Sequence, residues 1–322
     1  MKKIKLVTHN DLDGIGCYIV LSSFIGAENI DVSFVDYGDI DKEVGNVIEN
    51  IDNYMKLFIT DISVKDEDVI NSICKLVEKD ENKVTLLDHH KTALELNKYN
   101  WAKVCVDIDG RVTCGTELMF KYCKDKGIKK ITTIFDIKNC FSKEKITLDA
   151  FVELIRRYDT WEWYNVYNDV QSKNLNDLLY ILGKEAFIEK FLAKVSMTNS
   201  FVLFDDMDKM LIEQRQKEID SYISKMNERI YDVNVKDYLG GVVFAENFTS
   251  ELGNELGRLN PKYDFILIIK MSSGGMSFRT VKEDVDVSEI AKLFGGGGHS
   301  KASGALLDSQ HIVNFLQTSI SR

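Results

Sequence analysis

Short runs of aliphatic residues alternate with segments of helical apolar spacing through the N-terminal part of the chain. The runs at 4–8, 57–60 and 84–87 are bounded by polar sequence, which is typical of buried strands. The segments 66–79 and 148–158 place apolar residues three and four positions apart, which is typical of helices that bury one face. This alternation predicts an α/β fold with a mainly parallel sheet flanked by helices. Similar patterns predict a helix over 17–21, a strand over 32–37 and a helix over 114–124.

The segment 205–231 has a different pattern, which is long, charged and periodic. No glycine or proline interrupts it, so we expect one connector helix. Its half-apolar face would pack on a neighbouring domain or on a second subunit. A homodimer is therefore one of our expectations.

Strand patterns return after Tyr238. Strands are predicted over 241–245, 264–270 and 276–281, with a hairpin loop at 272–275 and helices over 287–294 and 308–319. Together they predict a smaller C-terminal α/β domain with a mixed sheet. The expected domains are 1–195, a helical linker over 196–235, and 236–322.

Three of the N-terminal strand patterns end abruptly in acidic or imidazole side chains. These ends carry His9, Asn10, Asp11 and Asp13, then Asp61, then Asp88, His89 and His90. A single acid after a strand is most often a helix cap or a turn residue. Three such transitions in one domain are harder to explain by capping, and the carboxyl ends of parallel strands meet at one edge of a sheet. We therefore expect a shared site there.

The charge of this set predicts what it binds. Carboxylates held close together either take up protons or recruit cations. Asp11, Asp13, Asp61 and one further acid would balance two divalent ions, and oxygen-rich ligands with an imidazole favour Mn²⁺ or Mg²⁺. Two such ions can activate water and clamp the oxygens of a phosphoryl group. The residues alone thus predict a two-metal hydrolase of a phosphate ester.

At these positions the sequence resembles a known family. The segment 9–14, the lone Asp61, the triplet 88–90 and Asp159 are similar to the four motifs of the DHH phosphoesterases. The glycine-rich segment 295–304 resembles the signature of the DHH-associated domain that usually follows. The resemblance covers most of the chain in the expected order.

The resemblance implies roles for individual residues. The metal ligands would be His9, Asp11, Asp13, Asp61, His89 and Asp159. Asp61 would bridge two divalent cations, most often Mn²⁺, with Mg²⁺ as the alternative. Asp88 would orient an imidazole, and His90 would orient the phosphate or protonate the leaving oxygen. The substrate would be bound by Arg279, Gly296, Gly297, Gly298, His299 and Ser303.

Alternatives remain open for the role of Asp159 and for the activity. Asp159 could instead be a helix cap, with Trp161 and Trp163 in the core. The family implies a phosphodiesterase that degrades short single-stranded oligonucleotides or linear dinucleotides to nucleoside monophosphates. The alternatives are a phosphatase of 3′-phosphoadenosine 5′-phosphate, a cyclic-dinucleotide phosphodiesterase, and a nucleotide sensor without turnover.

Composition narrows the range of partners. The formal net charge of -10 argues against a broad basic surface for long duplex DNA and favours a small anionic substrate. No segment has the run of apolar residues that a membrane span requires, so we expect a cytoplasmic protein with no membrane partner. The six cysteines contain no Cys-x-x-Cys pair, which favours free thiols over a zinc or redox motif.

Overall fold

A five-stranded parallel sheet forms the centre of the N-terminal part of the chain, in the order β2-β1-β3-β4-β5. The computed structural model describes residues 2–130, 145–197 and 200–307. The strands of this sheet are β1 (Lys3–His9), β2 (Ile30–Val35), β3 (Tyr54–Thr60), β4 (Val84–Asp88) and β5 (Ala102–Val104). The sheet and its flanking helices confirm the predicted α/β class.

Five helices of the described residues up to Asn227, α1, α3, α4, α5 and α8, overlap the predicted segments, whereas α2, α6 and α7 were not predicted. They are α1 (Leu12–Ile25), α2 (Ile40–Glu49), α3 (Glu67–Lys79), α4 (Gly115–Asp125), α5 (Leu148–Asp159), α6 (Val170–Leu182), α7 (Lys184–Met197) and α8 (Asp206–Asn227). Four short strands lie beside them, which are β6 (Asp107–Ile108), β7 (Arg111–Val112), β8 (Lys145–Thr147) and β9 (Ser200–Val202). Shorter turns are 3₁₀ at Ala27–Asn29, Ile51–Asn53 and Lys91–Lys98, and π-helical at Trp163–Tyr167.

The central sheet is buried on both faces. Successive side chains of a strand point to opposite sides, so neighbouring residues belong to different apolar clusters. Leu6 and Phe58 belong to one apolar cluster, whereas Val7 and Ile59 belong to the other. Helix α1 is buried along residues 12–24, which explains why its sequence is apolar all round. Its carboxylate-bearing start is therefore fixed against the sheet.

The C-terminal sheet is mixed, as predicted, with β11 and β12 parallel and its other pairings antiparallel. Its order is β10-β11-β12-β13-β15-β14. The strands are β10 (Tyr231–Val235), β11 (Tyr238–Phe244), β12 (Phe265–Lys270), β13 (Gly275–Arg279), β14 (Gly297–Gly298) and β15 (Ala302–Leu306), with helices α9 (Thr249–Leu259) and α10 (Val287–Lys292). The predicted closing helix over 308–319 lies outside the described residues.

The chain divides into two compact units, Met1–Ile212 and Glu213–Arg322. The boundary falls within α8, the helix that the sequence predicts as a connector. Ile219 and Ile223 of this helix belong to an apolar cluster of the second unit. The finer domain limits at 195 and 235 stay a prediction.

Two smaller findings concern the membrane and the cysteines. Among the helices of the described residues, none is both long and apolar enough to cross a membrane.

The five cysteines in the described part of the chain are free thiols, and Cys140 lies outside it.

Candidate active site

The ends of β1, β3 and β4 lie at one edge of the sheet. Thr8 is paired with Thr60, and Thr60 with Leu87, so the carboxyl ends of the three strands are in register. The residues that follow them therefore lie next to one another. Asp61 turns out of its strand with a φ of 57°, an unusual backbone angle for a residue other than glycine. Such conformations persist where the surrounding structure enforces them, and they are concentrated at functional sites.

Asp11 combines a capping role with a position in the site. Its Oδ1 accepts a hydrogen bond of 3.0 Å from the Gly14 amide at the start of α1. Its Oδ2 lies 2.9 Å from His9 Nδ1. A Cβ on Gly14 would stand 2.0 Å from the carbonyl oxygen of His9, so only glycine allows this close turn.

Asp13 is buried and is held by the first turn of α4. Its two carboxylate oxygens accept hydrogen bonds from the amides of Gly115 (2.6 Å) and Thr116 (2.8 Å). The Thr116 hydroxyl donates to the Asp13 carbonyl oxygen over 2.7 Å. The first turn of α4 therefore fixes the position and orientation of the Asp13 side chain.

Asp61 and His89 lie at the centre of the cluster. His89 Nε2 is 3.2 Å from Asp61 Oδ1, 3.7 Å from Asp13 Oδ2 and 3.5 Å from Asp159 Oδ2. The other oxygen of Asp61, Oδ2, lies 3.8 Å from His9 Nδ1. The two oxygens of one carboxylate therefore face two different groups of side chains.

Asp159 is the last residue of α5, not the cap at the start of a helix. An ion-pair network fixes this end of the helix, since the fully buried Arg156 binds Glu153 and Glu162. Trp161 has a φ of 61° and is 37% exposed, so the alternative that placed it in the core is wrong.

Asp88 holds the His90 ring in place. Its Oδ1 lies 2.7 Å from His90 Nδ1, and its Oδ2 accepts a hydrogen bond from the Ser63 hydroxyl. Burial alone would raise the pKa of Asp88, but the hydrogen bond and charge of His90 lower it. The Tyr37 hydroxyl lies 3.0 Å from the other ring nitrogen of His90, Nε2.

The central acids are crowded enough to repel one another. Burial, with the charges of Asp13 and Asp11, raises the pKa of both Asp61 and Asp159 well above the ordinary value for this side chain. Burial lowers the pKa of His89, which favours the neutral imidazole that metals bind. The cluster is therefore more stable with added positive charge.

Buried ligand atoms without hydrogen bonds test whether cations fit. In the described structure His9 Nδ1 and Asp61 Oδ2 are buried and make no hydrogen bond of regular geometry, although Asp11 Oδ2 lies 2.9 Å from His9 Nδ1. Ligand atoms lie within 4.8 Å of one another in three groups, namely His9, Asp11 and Asp61; Asp13, His89 and Asp159; and Asp61, Asp88, His89 and His90. Oxygen-rich groups with one or two imidazoles suit Mn²⁺ or Mg²⁺. The residues present thus fit divalent cations.

Arg279, a predicted substrate ligand, lies at the end of β13. Its Nε is buried without a hydrogen-bond partner among the described residues, and its Nη1 donates to the Phe278 carbonyl oxygen over 3.0 Å. Burial lowers the pKa of this guanidinium, and Glu251 is the charge that opposes the change. A buried guanidinium with free donors is suited to an anion.

The glycine-rich segment has a structural explanation of its own. A Cβ on Gly296 would stand 2.0 Å from the Gly304 carbonyl oxygen, and a Cβ on Gly298, which has a φ of 141°, would stand 2.7 Å from Ser303 Cα. The Ser303 hydroxyl donates to the Val287 carbonyl oxygen over 2.7 Å, while His299 is exposed. These contacts do not test the predicted binding of substrate by Gly297 and its neighbours.

Comparisons with known proteins identify the family. The family model described as "DHH family, N-terminal domain" matches residues 3–145. Oligoribonuclease NrnB of Bacillus subtilis is 37% identical over 309 residues, which are 95% of this chain and 73% of that protein. The chain belongs to the DHH family. The predicted membership of the DHH phosphoesterases is therefore confirmed.

Other DHH-like proteins are more distant. A 3′,5′-cyclic-nucleotide phosphodiesterase of Helicobacter pylori is 22% identical, covering 96% of this chain and 94% of that protein. The structure of the pGpG-specific phosphodiesterase PggH from Vibrio cholerae is 14% identical with a TM-score of 0.51, covering 99% of both chains. RecJ of Thermus thermophilus in complex with Mn²⁺ is 14% identical with a TM-score of 0.50, covering 98% of this chain and 51% of that one. These structures support the fold.

Several residues beside the DHH motifs were not predicted as site residues. Tyr37 follows the end of β2 and contacts His90, and Ser63 follows Asp61 by two residues. The only sequence signal for Tyr37 is its position after a strand at the same sheet edge. Gly115 and Thr116 begin a predicted helix, but their contact with Asp13 depends on the tertiary fold.

Proposed function

We propose that this DHH protein hydrolyses the phosphodiester bonds of very short oligonucleotides and linear dinucleotides, releasing nucleoside monophosphates. The observation that carries the proposal is the placement of Asp61 between two sets of ligands at one sheet edge. The 37% identity to a protein named an oligoribonuclease supports oligonucleotides as the substrate class.

Two divalent cations, Mn²⁺ or Mg²⁺, would occupy this cluster. His9, Asp11 and Asp61 would hold one, while Asp13, His89 and Asp159 would hold the other, with Asp61 shared. When bound, the cations lower the pKa of water and neutralise charge on the phosphate. The Mn²⁺ complex of RecJ, which shares the fold, supports the choice of metal.

The protein's own residues would position the phosphate and supply a proton. Asp88 fixes His90 through Nδ1, which leaves Nε2 as the atom that orients the phosphate or protonates the leaving oxygen. The Tyr37 hydroxyl now occupies a hydrogen bond with that nitrogen, and it would release Nε2 when substrate enters. Ser63 and the amide of His89 hold Asp88 in place.

Arg279 would bind a second phosphate of the substrate. Its buried Nε lacks a partner among the described residues, and its planar fork suits phosphate oxygens. The amides of Gly296, Gly297 and Gly298, with His299 and Ser303, would contribute further anion contacts. Exclusive use of short substrates agrees with the acidic net charge of -10, which disfavours binding along a long polyanion.

A panel of substrates tests the proposal. End-labelled RNA and DNA oligomers of increasing length would be incubated with Mn²⁺, together with 3′,5′-cyclic AMP, a cyclic dinucleotide and 3′-phosphoadenosine 5′-phosphate. We expect the dinucleotides to be cleaved fastest, with nucleoside monophosphates as the products. Cyclic nucleotides are included because the Helicobacter pylori relative carries that name.

The matched variants are Asp159→Asn, in the cluster, and Asp169→Asn, which caps α6 and binds Arg157. We expect only Asp159→Asn to abolish hydrolysis while the protein stays folded. Faster cleavage of a monoester or a cyclic nucleotide than of any dinucleotide would contradict the proposed substrate class.

A further inference from the structure

A cavity of ≈ 350 Å³ lies in the first unit beside the candidate active site. Its lining includes Asn10 and Asp11 from the start of α1, and Asn176, Tyr180 and Lys184 from α6 and α7. We call it the α6–α7 cavity. Because Asp11 belongs to the cluster described above, the cavity opens directly beside that cluster. Its size falls in the range of about 300–1,000 Å³ that is typical of small-molecule sites.

Asn176 contributes an amide side chain to the wall of the cavity. The residue is only 6% exposed, and its side chain makes no hydrogen bond within the described part of the chain. The polar atoms of this amide are not among the fully buried, unpaired atoms of the described residues, so they stay accessible to a ligand in the cavity that they line. An amide offers one acceptor and two donors, which match the hydrogen-bonding edge of a nucleobase.

Lys184 supplies a cation at the same cavity. No carboxylate of the described residues lies within ion-pair distance of its ammonium group, which stands 4.9 Å from the centre of the Phe34 ring. Lys184 is also the first residue of α7, where the helix dipole is positive. In a chain with a formal net charge of -10, this combination favours an anion such as a phosphate.

Tyr180 adds an aromatic surface at the cavity. Its side chain is 69% exposed, which is unusual for a tyrosine that has only a packing role. Aromatic rings that are accessible beside a cation and amides are the usual stacking surfaces for unpaired bases. The cavity therefore combines three complementary contacts for one nucleotide.

We propose that the α6–α7 cavity binds one nucleotide of the substrate next to the bond that is cleaved. Asn176 hydrogen-bonds the base edge, Tyr180 stacks on the base, and Lys184 pairs with a phosphate. This inference rests on the proposed function, because it assigns the recognition of the base to the same site. It places base recognition within the first unit of the chain.

Equilibrium binding tests the cavity without depending on cations or turnover. Isothermal titration calorimetry in EDTA would compare the four nucleoside 5′-monophosphates with ribose 5-phosphate, which lacks the base. We expect the best mononucleotide to bind at least about tenfold more tightly than ribose 5-phosphate, as for a well-placed amide contact. Asn176→Ala should remove this difference. Lys184→Met should weaken both ligands by a similar factor.

The controls are Asn71→Ala and Lys75→Met on α3, which are exposed and do not line the cavity. Alanine favours a helix more than asparagine does, so Asn176→Ala should fold, and its thermal unfolding verifies this. Lys184→Met gives an independent test at a less buried position. Equal binding of mononucleotide and ribose 5-phosphate by the unmodified protein, or an unchanged ratio in Asn176→Ala, would overturn the proposal.

A chromogenic diester separates this inference from the proposed function. Bis(4-nitrophenyl) phosphate has a cleavable diester but no nucleobase. With Mn²⁺, Asn176→Ala should raise KM for a dinucleotide and leave the rate on the chromogenic diester unchanged. If the unmodified protein cleaves neither compound, the proposed function fails, whereas the calorimetric result still decides whether the cavity binds a nucleotide.

Discussion

Gly115 lies at the point where the start of α4 meets the carboxylates of the site. A Cβ at this position would stand 2.7 Å from Asp61 Cβ and 3.0 Å from Asp13 Oδ2. Gly115→Ala therefore adds a single methyl group between two of the proposed metal ligands, without adding or removing a charge. It tests whether the positions of these carboxylates matter to cation binding.

The size of the effect follows from the distances. Ordinary contacts of a Cβ begin at 3.4 Å, so Asp61 and α4 must move apart by about 0.7 Å. Distances between a metal ion and its ligands vary by only roughly 0.2 Å, so this displacement is large for a metal ligand. Overpacking of this kind costs about 1–3 kcal/mol of folding stability. We expect Mn²⁺ affinity to fall by about 10–100-fold, as when groups that orient metal ligands are altered.

Calorimetric titration with Mn²⁺, thermal unfolding and dinucleotide hydrolysis would measure these effects. Gly45→Ala is the matched control, because it lies in α2 and nothing stands within 4 Å of its added Cβ. This control should be stabilised by about 0.5–1 kcal/mol and should bind Mn²⁺ normally. Unchanged Mn²⁺ affinity and hydrolysis in Gly115→Ala would refute the reasoning.

Three further predictions follow from other contacts. Asp88→Asn should lower kcat by about 10–100-fold and keep its Mn²⁺ affinity, because Asp88 orients His90. Loss of Mn²⁺ binding in the calorimetric titration would instead show that Asp88 is a metal ligand. Arg279→Met should raise KM for dinucleotides by about tenfold or more at unchanged kcat. The control Arg258→Met, which replaces an exposed arginine of the same unit, should leave KM unchanged. If Arg279→Met has the same KM as the unmodified protein, Arg279 does not bind a substrate phosphate. Burial alone would raise the pKa of Glu153, but hydrogen bonds from two arginines lower it to about 2, below its ordinary value of 4.5. The ionised Glu153 side chain, which is 29% exposed, therefore adds about 1–2 kcal/mol to the free energy of unfolding above pH 4.5, and this stabilisation is lost as the pH falls towards 2. In Glu153→Gln the free energy of unfolding should fall less steeply with decreasing pH. The same slope in the variant and the unmodified protein would contradict this prediction.

Much of the site could be predicted because its residues follow strands directly. A buried strand that stops in Asp61 or in Asp88 fixes the residue at a sheet edge, and parallel pairing brings such edges together. The same logic applies to Asp11, whose capping contact and position in the site follow from one strand-to-helix turn. These inferences need only local patterns and the geometry of a parallel sheet.

Other features depend on contacts between distant segments and could not be predicted in this way. The contact of Asp13 with Gly115 joins residues 102 positions apart. The contact of Tyr37 with His90 depends on the loop after β2. Trp161 was an alternative core residue on hydrophobicity alone, but its left-handed backbone leaves the ring partly exposed.

The binding of two cations around Asp61 is the central claim, and anomalous diffraction from crystals grown with Mn²⁺ tests it most directly. Two manganese peaks per chain are expected about 3.5–4 Å apart, with one oxygen of Asp61 directed at each. One set of ligands would come from His9 and Asp11, and the other from His89 and Asp159. A single peak, or manganese bound away from Asp61, would contradict the account.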